Sequence, residues 1–108
     1  MSDIKKDFVH TVFFWLKNPE NSNDRQKFEA SLKTFIKNSE FVKASQVGIP
    51  SVAQRDVIDS SYTYSLLTTF PSREEHDKYQ VEPAHTTFIN ECKDLWSKVL
   101  VYDSESIY

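Results

Sequence analysis

The chain alternates between stretches rich in β-branched and aromatic residues and stretches where apolar residues recur every three or four positions. Phe8 to Leu16 (Phe-Val-His-Thr-Val-Phe-Phe-Trp-Leu) is of the first kind and predicts a strand. Its apolar residues fall on both alternating faces, so both faces are expected to be covered. Asn18 to Asn23 reads as a turn, and Asn23 with Gln26 resembles a capping box. Phe28, Leu32, Phe35 and Ile36 then recur at helical spacing, predicting a helix over about 23–38 with Arg25, Glu29, Lys33 and Lys37 on its solvated face.

Phe41 to Ile49 predicts a second strand. Gly48, the single glycine, marks either a bulge or a positive φ. Pro50 to Ser61 is polar and is expected to be the longest loop. Tyr62 to Phe70 is a third strand, with Tyr62, Tyr64, Leu66, Thr68 and Phe70 on one face. Ser72 with Glu75 is a second capping-box pattern, opening a short helix through about Val81. Pro83 suits the first position of the next helix, whose stripe is expected to be Phe88, Cys92, Leu95, Trp96 and Val99. Val99 to Tyr102 is the last strand, and Asp103 to Tyr108 a loose tail.

The order β-α-β-β-α-α-β predicts an α+β fold of the ferredoxin-like, split βαβ kind: a four-stranded antiparallel sheet with helices on one face. The opposite face would expose a large apolar patch in a monomer, and two sheets facing each other as a dimeric α/β barrel would bury it. Composition agrees. At 108 residues the chain is one domain, with its core over about 8–103, and 14% aromatic residues can build that core from few large side chains.

Charge and cysteine usage exclude several functions. The net charge of −3 is spread along the chain without a basic cluster, so nucleic acid is not an expected partner. The single Cys92 allows no internal disulfide and is expected to be a buried apolar residue. No apolar run approaches a membrane span and no leader pattern opens the chain, so the expectation is a cytoplasmic protein without a membrane partner. One glycine rules out a phosphate-cradling loop, and no nucleophile elbow is present.

The candidate chemistry gathers at Tyr79-Gln-Val-Glu-Pro83-Ala-His85. His85 falls in the first turn of a helix, where unpaired N–H groups and the helix dipole oppose its protonation. His10 lies in a strand among apolar neighbours and needs a hydrogen-bond partner, His85 or a carboxylate. If the two imidazoles share a cleft, one could move a proton while the other polarises an oxygen, with Tyr79 as hydroxyl donor. The alternative is a satisfied core histidine and a helix-start residue without catalytic duty. His76, beside Arg73, Glu74, Asp77 and Lys78, is expected on the solvated surface. No metal site is expected, since only His10 and His85 could converge and Glu82 would have to turn inward.

Val9-His10-Thr-Val, Val47-Gly48, Tyr62-Thr63, Thr69-Phe70-Pro-Ser72, Tyr79 with Pro83-Ala84-His85, and Val99-Leu-Val-Tyr-Asp103 stand in order over roughly 8–103. In this the chain resembles the stress-responsive dimeric α/β-barrel (Dabb) family. The resemblance implies a homodimer whose two sheets form a barrel, with no cofactor and no single activity. It also implies a cleft between sheet and helices for a small apolar or aromatic ligand. A plant polyketide cyclase of the family uses two histidines and a tyrosine in positions resembling His10, His85 and Tyr79. Its second tyrosine, in the first helix, is replaced here by Leu32, and Tyr64 stands where many relatives carry a smaller or more basic residue. Tyr64, Leu32, Phe28 and Phe88 are the expected ligand contacts. Two functions remain: a ligand-binding protein, with cofactor-free lyase, cyclase or isomerase chemistry within its reach, and a non-catalytic stress-associated assembly protein.

Overall fold

The computed structural model describes residues 4–107. Its elements are β1 (Phe8–Leu16), α1 (Ser22–Asn38), β2 (Ala44–Gly48), β3 (Tyr64–Phe70), α2 (Arg73–Val81), α3 (Pro83–Cys92) and β4 (Trp96–Ser104). The strands form one antiparallel sheet in the order β2-β3-β1-β4. This is the ferredoxin-like α+β fold that the alternation of patterns predicts.

Period-two burial along β1 sorts its side chains cleanly. Phe8, His10, Val12, Phe14 and Leu16 are buried toward the helices, while Val9, Thr11, Phe13 and Trp15 are not fully covered. The expectation that both faces are covered therefore holds for only one face within a single chain. Across the sheet, Phe14 pairs with Tyr64 and Val99, and Val12 with Leu66 and Val101. On the opposite face, Thr11 pairs with Leu67 and Tyr102, and Phe13 with Ser65 and Leu100.

Helices α1 and α3 supply Phe28, Leu32, Phe35, Phe88 and Cys92 to the core. Edge-to-face and stacked rings fill it: Phe28 stacks on Tyr64 at 4.8 Å, and Phe35 on Phe88 at 5.2 Å. Cys92 is wholly buried, and that burial pushes its thiol pKa up, as suits an inert packing residue.

Several boundaries differ from the sequence reading. The first helix is capped by Asn21, whose side chain accepts from the Asp24 N–H at 3.0 Å; Asn23 already lies in the first turn. β2 begins only at Ala44, because Phe41 and Val42 turn to pack against the core. Gly48 needs neither expected explanation. No residue described has a positive φ, and the β2–β3 register runs unbroken. A Cβ at Gly48 would instead stand 3.0 Å from the Ser65 hydroxyl on the paired strand.

Thr63 precedes β3, its N–H bonding Phe14 O and its hydroxyl accepting from Leu16 N. The Ser72 cap is present, accepting from the Glu75 N–H, and Pro83 opens α3 as expected. That helix stops at Cys92. Leu95, Trp96 and Val99 continue its period by coincidence, since Trp96 already pairs with Leu16 in the sheet. Asp103 and Ser104 belong to β4 rather than to a loose tail, and the Ser106 hydroxyl bonds Lys5 O at 2.7 Å. Tyr108 lies outside the described residues. Among the described residues no helix is long and apolar enough to cross a membrane.

Candidate functional site

Helix α2 has little apolar surface, and the two residues it buries are His76 and Tyr79. They are three positions apart and so share one face. That face lies over the middle of the sheet, where His10 projects from β1. His10 is 3% exposed, His76 4% and Tyr79 1%. The surface placement of His76 is therefore overturned: its ring packs at 4.6 Å on Phe8 and 5.3 Å from Phe70, and the helix turn aims it inward.

His10 finds its carboxylate in Asp103, directly opposite on β4. His10 Nδ1 also lies 3.2 Å from His76 Nε2. One tautomer set satisfies all contacts. An ionised Asp103 can only accept, so His10 Nδ1 carries a proton and donates to it. His76 Nδ1 is 3.4 Å from Asp77 Oδ1 and donates there, which leaves His76 Nε2 as a second acceptor for His10 Nδ1–H. His10 Nε2 is then the lone-pair nitrogen of the ring. Burial holds the His10 pKa below its ordinary value, against the opposing pull of Asp103.

Tyr79 joins the two histidines singled out in the sequence. Its ring stands edge-on to His10 at 5.8 Å and to His85 at 5.3 Å. Burial raises the Tyr79 pKa far above the ordinary phenol, so its hydroxyl stays a donor. His85 sits at the third position of α3, its N–H bonding Glu82 O at 3.1 Å. Its pKa is lowered, first by burial and then by His10. Glu82 stays out of the cluster. Its carboxylate accepts from the Ser39 hydroxyl at 2.5 Å and the Glu40 N–H at 3.0 Å, tying the end of α1 to the start of α3.

A prediction follows from His85. A histidine whose folded pKa lies below 6.5 binds fewer protons folded than unfolded, so stability falls as pH drops through about 6.5. Urea midpoints between pH 8 and pH 5 should decline on the acid side. Replacing His85 with Gln should flatten part of that decline.

The four expected ligand contacts are core residues here. Phe28, Leu32 and Phe88 are buried among the aromatic rings. Tyr64 is buried too, but its hydroxyl reaches Glu29 Oε2 at 2.5 Å and Arg25 lies 4.9 Å from its ring centre. Burial, then Glu29, pushes the Tyr64 pKa up to about 12. Arg25 and Glu29 are thus half-buried partners of Tyr64 rather than free surface charges.

A groove of about 730 Å³ runs between α1 and the α2–α3 junction, past Thr34, Phe35, Val81, Pro83 and Phe88. It does not include His10, Tyr79 or His85. Phe35 stands between: it lines the groove, stacks on Tyr79 at 5.4 Å and meets His85 edge-on at 5.5 Å.

A Dabb family protein from Mesorhizobium loti with a ferredoxin-like fold superposes with a TM-score of 0.77 at 20% identity, covering 94% of this chain and 98% of that one. A hydroxynitrile lyase from Passiflora edulis superposes with a TM-score of 0.76 at 17% identity, covering 94% of each. A dimeric ferredoxin-like protein of unknown function from Thermobifida fusca gives 0.73 at 10% identity, over 92% of this chain and 90% of that one. A search of curated proteins found no match. Residues 8–106 match the stress responsive A/B barrel domain, and the chain belongs to that family, Dabb.

Proposed function

We propose that this protein is a homodimer that binds a small, largely apolar or aromatic ligand beneath its helices and carries out cofactor-free acid–base chemistry of the lyase, cyclase or isomerase type. The observation that carries this reading is the chain of contacts from groove to sheet: Phe35, then Tyr79 and His85, then His10 held by Asp103. Burying the His10 imidazole and the Tyr79 phenol, with His85 half-buried beside them, costs stability that apolar residues would not, and such clusters concentrate at working sites. His85 is the proposed proton-transfer group, Tyr79 the donor to a ligand oxygen, and His10 the partner imidazole fixed by Asp103. Tyr64, Leu32, Phe28 and Phe88 form the apolar surround that would contact the ligand once Phe35 moves aside. The hydroxynitrile lyase with the same fold is a precedent for small-molecule chemistry on this scaffold.

The dimer rests on the outer sheet face. Val9, Phe13, Trp15, Leu67, Leu100 and Tyr102 place apolar side chains on the face opposite the helices, interspersed with Thr11, Ser65, Thr69 and Lys98. Several solved structures of the same fold are described as dimeric.

One observation favours the second reading, an assembly protein without catalysis: His10 and Tyr79 are buried among rings, and the groove between α1 and the α2–α3 junction stops short of them. Calorimetric titration with a panel of aromatic aldehydes, their cyanohydrins and short polyketide-like chains separates the two. Binding that is lost in Tyr79→Phe and His85→Gln supports the ligand site. No heat from any compound, or binding indifferent to both substitutions, overturns it.

A further inference from the structure

We propose that His10 Nδ1, His76 Nε2 and Asp103 Oδ1 together form a binding site for a borderline first-row divalent cation, with Zn²⁺ the best fit. The three donor atoms lie within 4.8 Å of one another, drawn from β1, α2 and β4. Two imidazoles and one carboxylate make a donor set suited to zinc and its first-row neighbours, and unlike the all-oxygen sets of Mg²⁺ and Ca²⁺.

The spacing supports this choice. Tetrahedral zinc with bonds of about 2.0–2.1 Å places adjacent ligand atoms roughly 3.3 Å apart. The His10 Nδ1 to His76 Nε2 separation is 3.2 Å. Asp103 is closer to His10 than a shared ion would leave it, and it is also the member free to retreat. Its side chain is 38% exposed on an edge strand, whereas both imidazoles are fixed by packing. The cation replaces the proton that His10 Nδ1 shares between the other two groups, and that proton leaves to solvent.

Support around the donors is already built. His76 Nδ1 faces Asp77 Oδ1 at 3.4 Å, the carboxylate–histidine arrangement that orients a metal-bound imidazole. Phe8, Phe70 and Tyr79 wall the other sides. Access comes from the edge of the sheet: on the helix-facing side of β4, Val99 and Val101 are 38% and 44% exposed, in line with Asp103. Three protein donors leave a fourth position for water or a ligand.

The site shares His10 and Asp103 with the proposed acid–base cluster, where their hydrogen bond fixes the partner imidazole; failure to bind Zn²⁺ leaves that reading standing, whereas a bound ion replaces that hydrogen bond. The test is isothermal titration of tag-free, chelator-stripped full-length protein with Zn²⁺, alongside visible spectra of the Co²⁺ form. One ion per chain is expected, with the intense Co²⁺ absorption of a tetrahedral site. Asp103→Asn, at an exposed position that leaves the core intact, and His76→Phe, which keeps a ring among Phe8 and Phe70, should each weaken binding about tenfold or more. Failure of the wild-type protein to bind Zn²⁺ at neutral pH overturns the proposal. Equal binding by wild type and both variants overturns it as well, since the ion would then sit elsewhere.

Discussion

Phe14→Asp is expected to abolish folding. The ring is 3% exposed and contacts Phe28 at 5.1 Å, Trp96 at 5.4 Å and Phe88 at 6.0 Å. Losing a buried phenylalanine costs about 3–5 kcal/mol, and a carboxylate left there without a partner adds a desolvation penalty. Domains of this size have roughly 5–15 kcal/mol in total, so little or none remains. Circular dichroism and one-dimensional NMR of the purified variant give the answer. A native spectrum would mean that β1 faces the other way.

Phe13→Asp, one residue earlier on the opposite face, should do something different. Phe13 packs on Tyr62 at 4.9 Å and Tyr102 at 6.1 Å, outside the helix-covered core. Losing these two aromatic contacts costs the protomer about 1–2 kcal/mol, which it should survive. An aspartate in an apolar interface should weaken self-association at least about a hundredfold. Light scattering behind a sizing column should give twice the chain mass for the wild type and one chain mass for this variant. A folded variant that keeps the wild-type mass would move the interface elsewhere.

The paired outcomes turn on parity, and parity is where the sequence is least informative. The run Phe13-Phe14-Trp15-Leu16 is apolar on both faces, so it announces a strand without saying which side meets the helices. The structure decides through register, because Phe14 falls beside Tyr64 and Phe13 beside Ser65. The helices were readable where apolar spacing was strong, as in Phe28, Leu32 and Phe35. Beyond Cys92 the same signal misled, since Leu95, Trp96 and Val99 keep a helical period while the chain has turned back into the sheet.

The candidate cluster was legible in part. Tyr79 and His85 could be linked through the Pro83 helix start, and His10 by its need for a partner. His76 was hidden by its charged sequence neighbours. Its useful signal was Tyr79 three positions on, which places both on one helical face. Asp103 was hidden by its position near the end of the chain. The clue there was its alternation with Val99 and Val101, but assigning it to His10 requires the β1–β4 register, which only long-range pairing fixes. The place of Phe35 between the groove and the rings of Tyr79 and His85 follows from ring packing and has no counterpart in local sequence.

If the polar cluster under the helices receives a ligand, as proposed, its imidazoles must sense it. The most direct measurement is the NMR response of the His10 and His85 imidazole resonances to an aromatic carbonyl compound that the calorimetric panel identifies, or to the whole panel. Both rings should shift together, and Phe35 resonances should broaden as the wall opens. Rings that stay unmoved by every compound, in a dimer that is otherwise intact, would contradict the proposal and leave the barrel as an assembly unit.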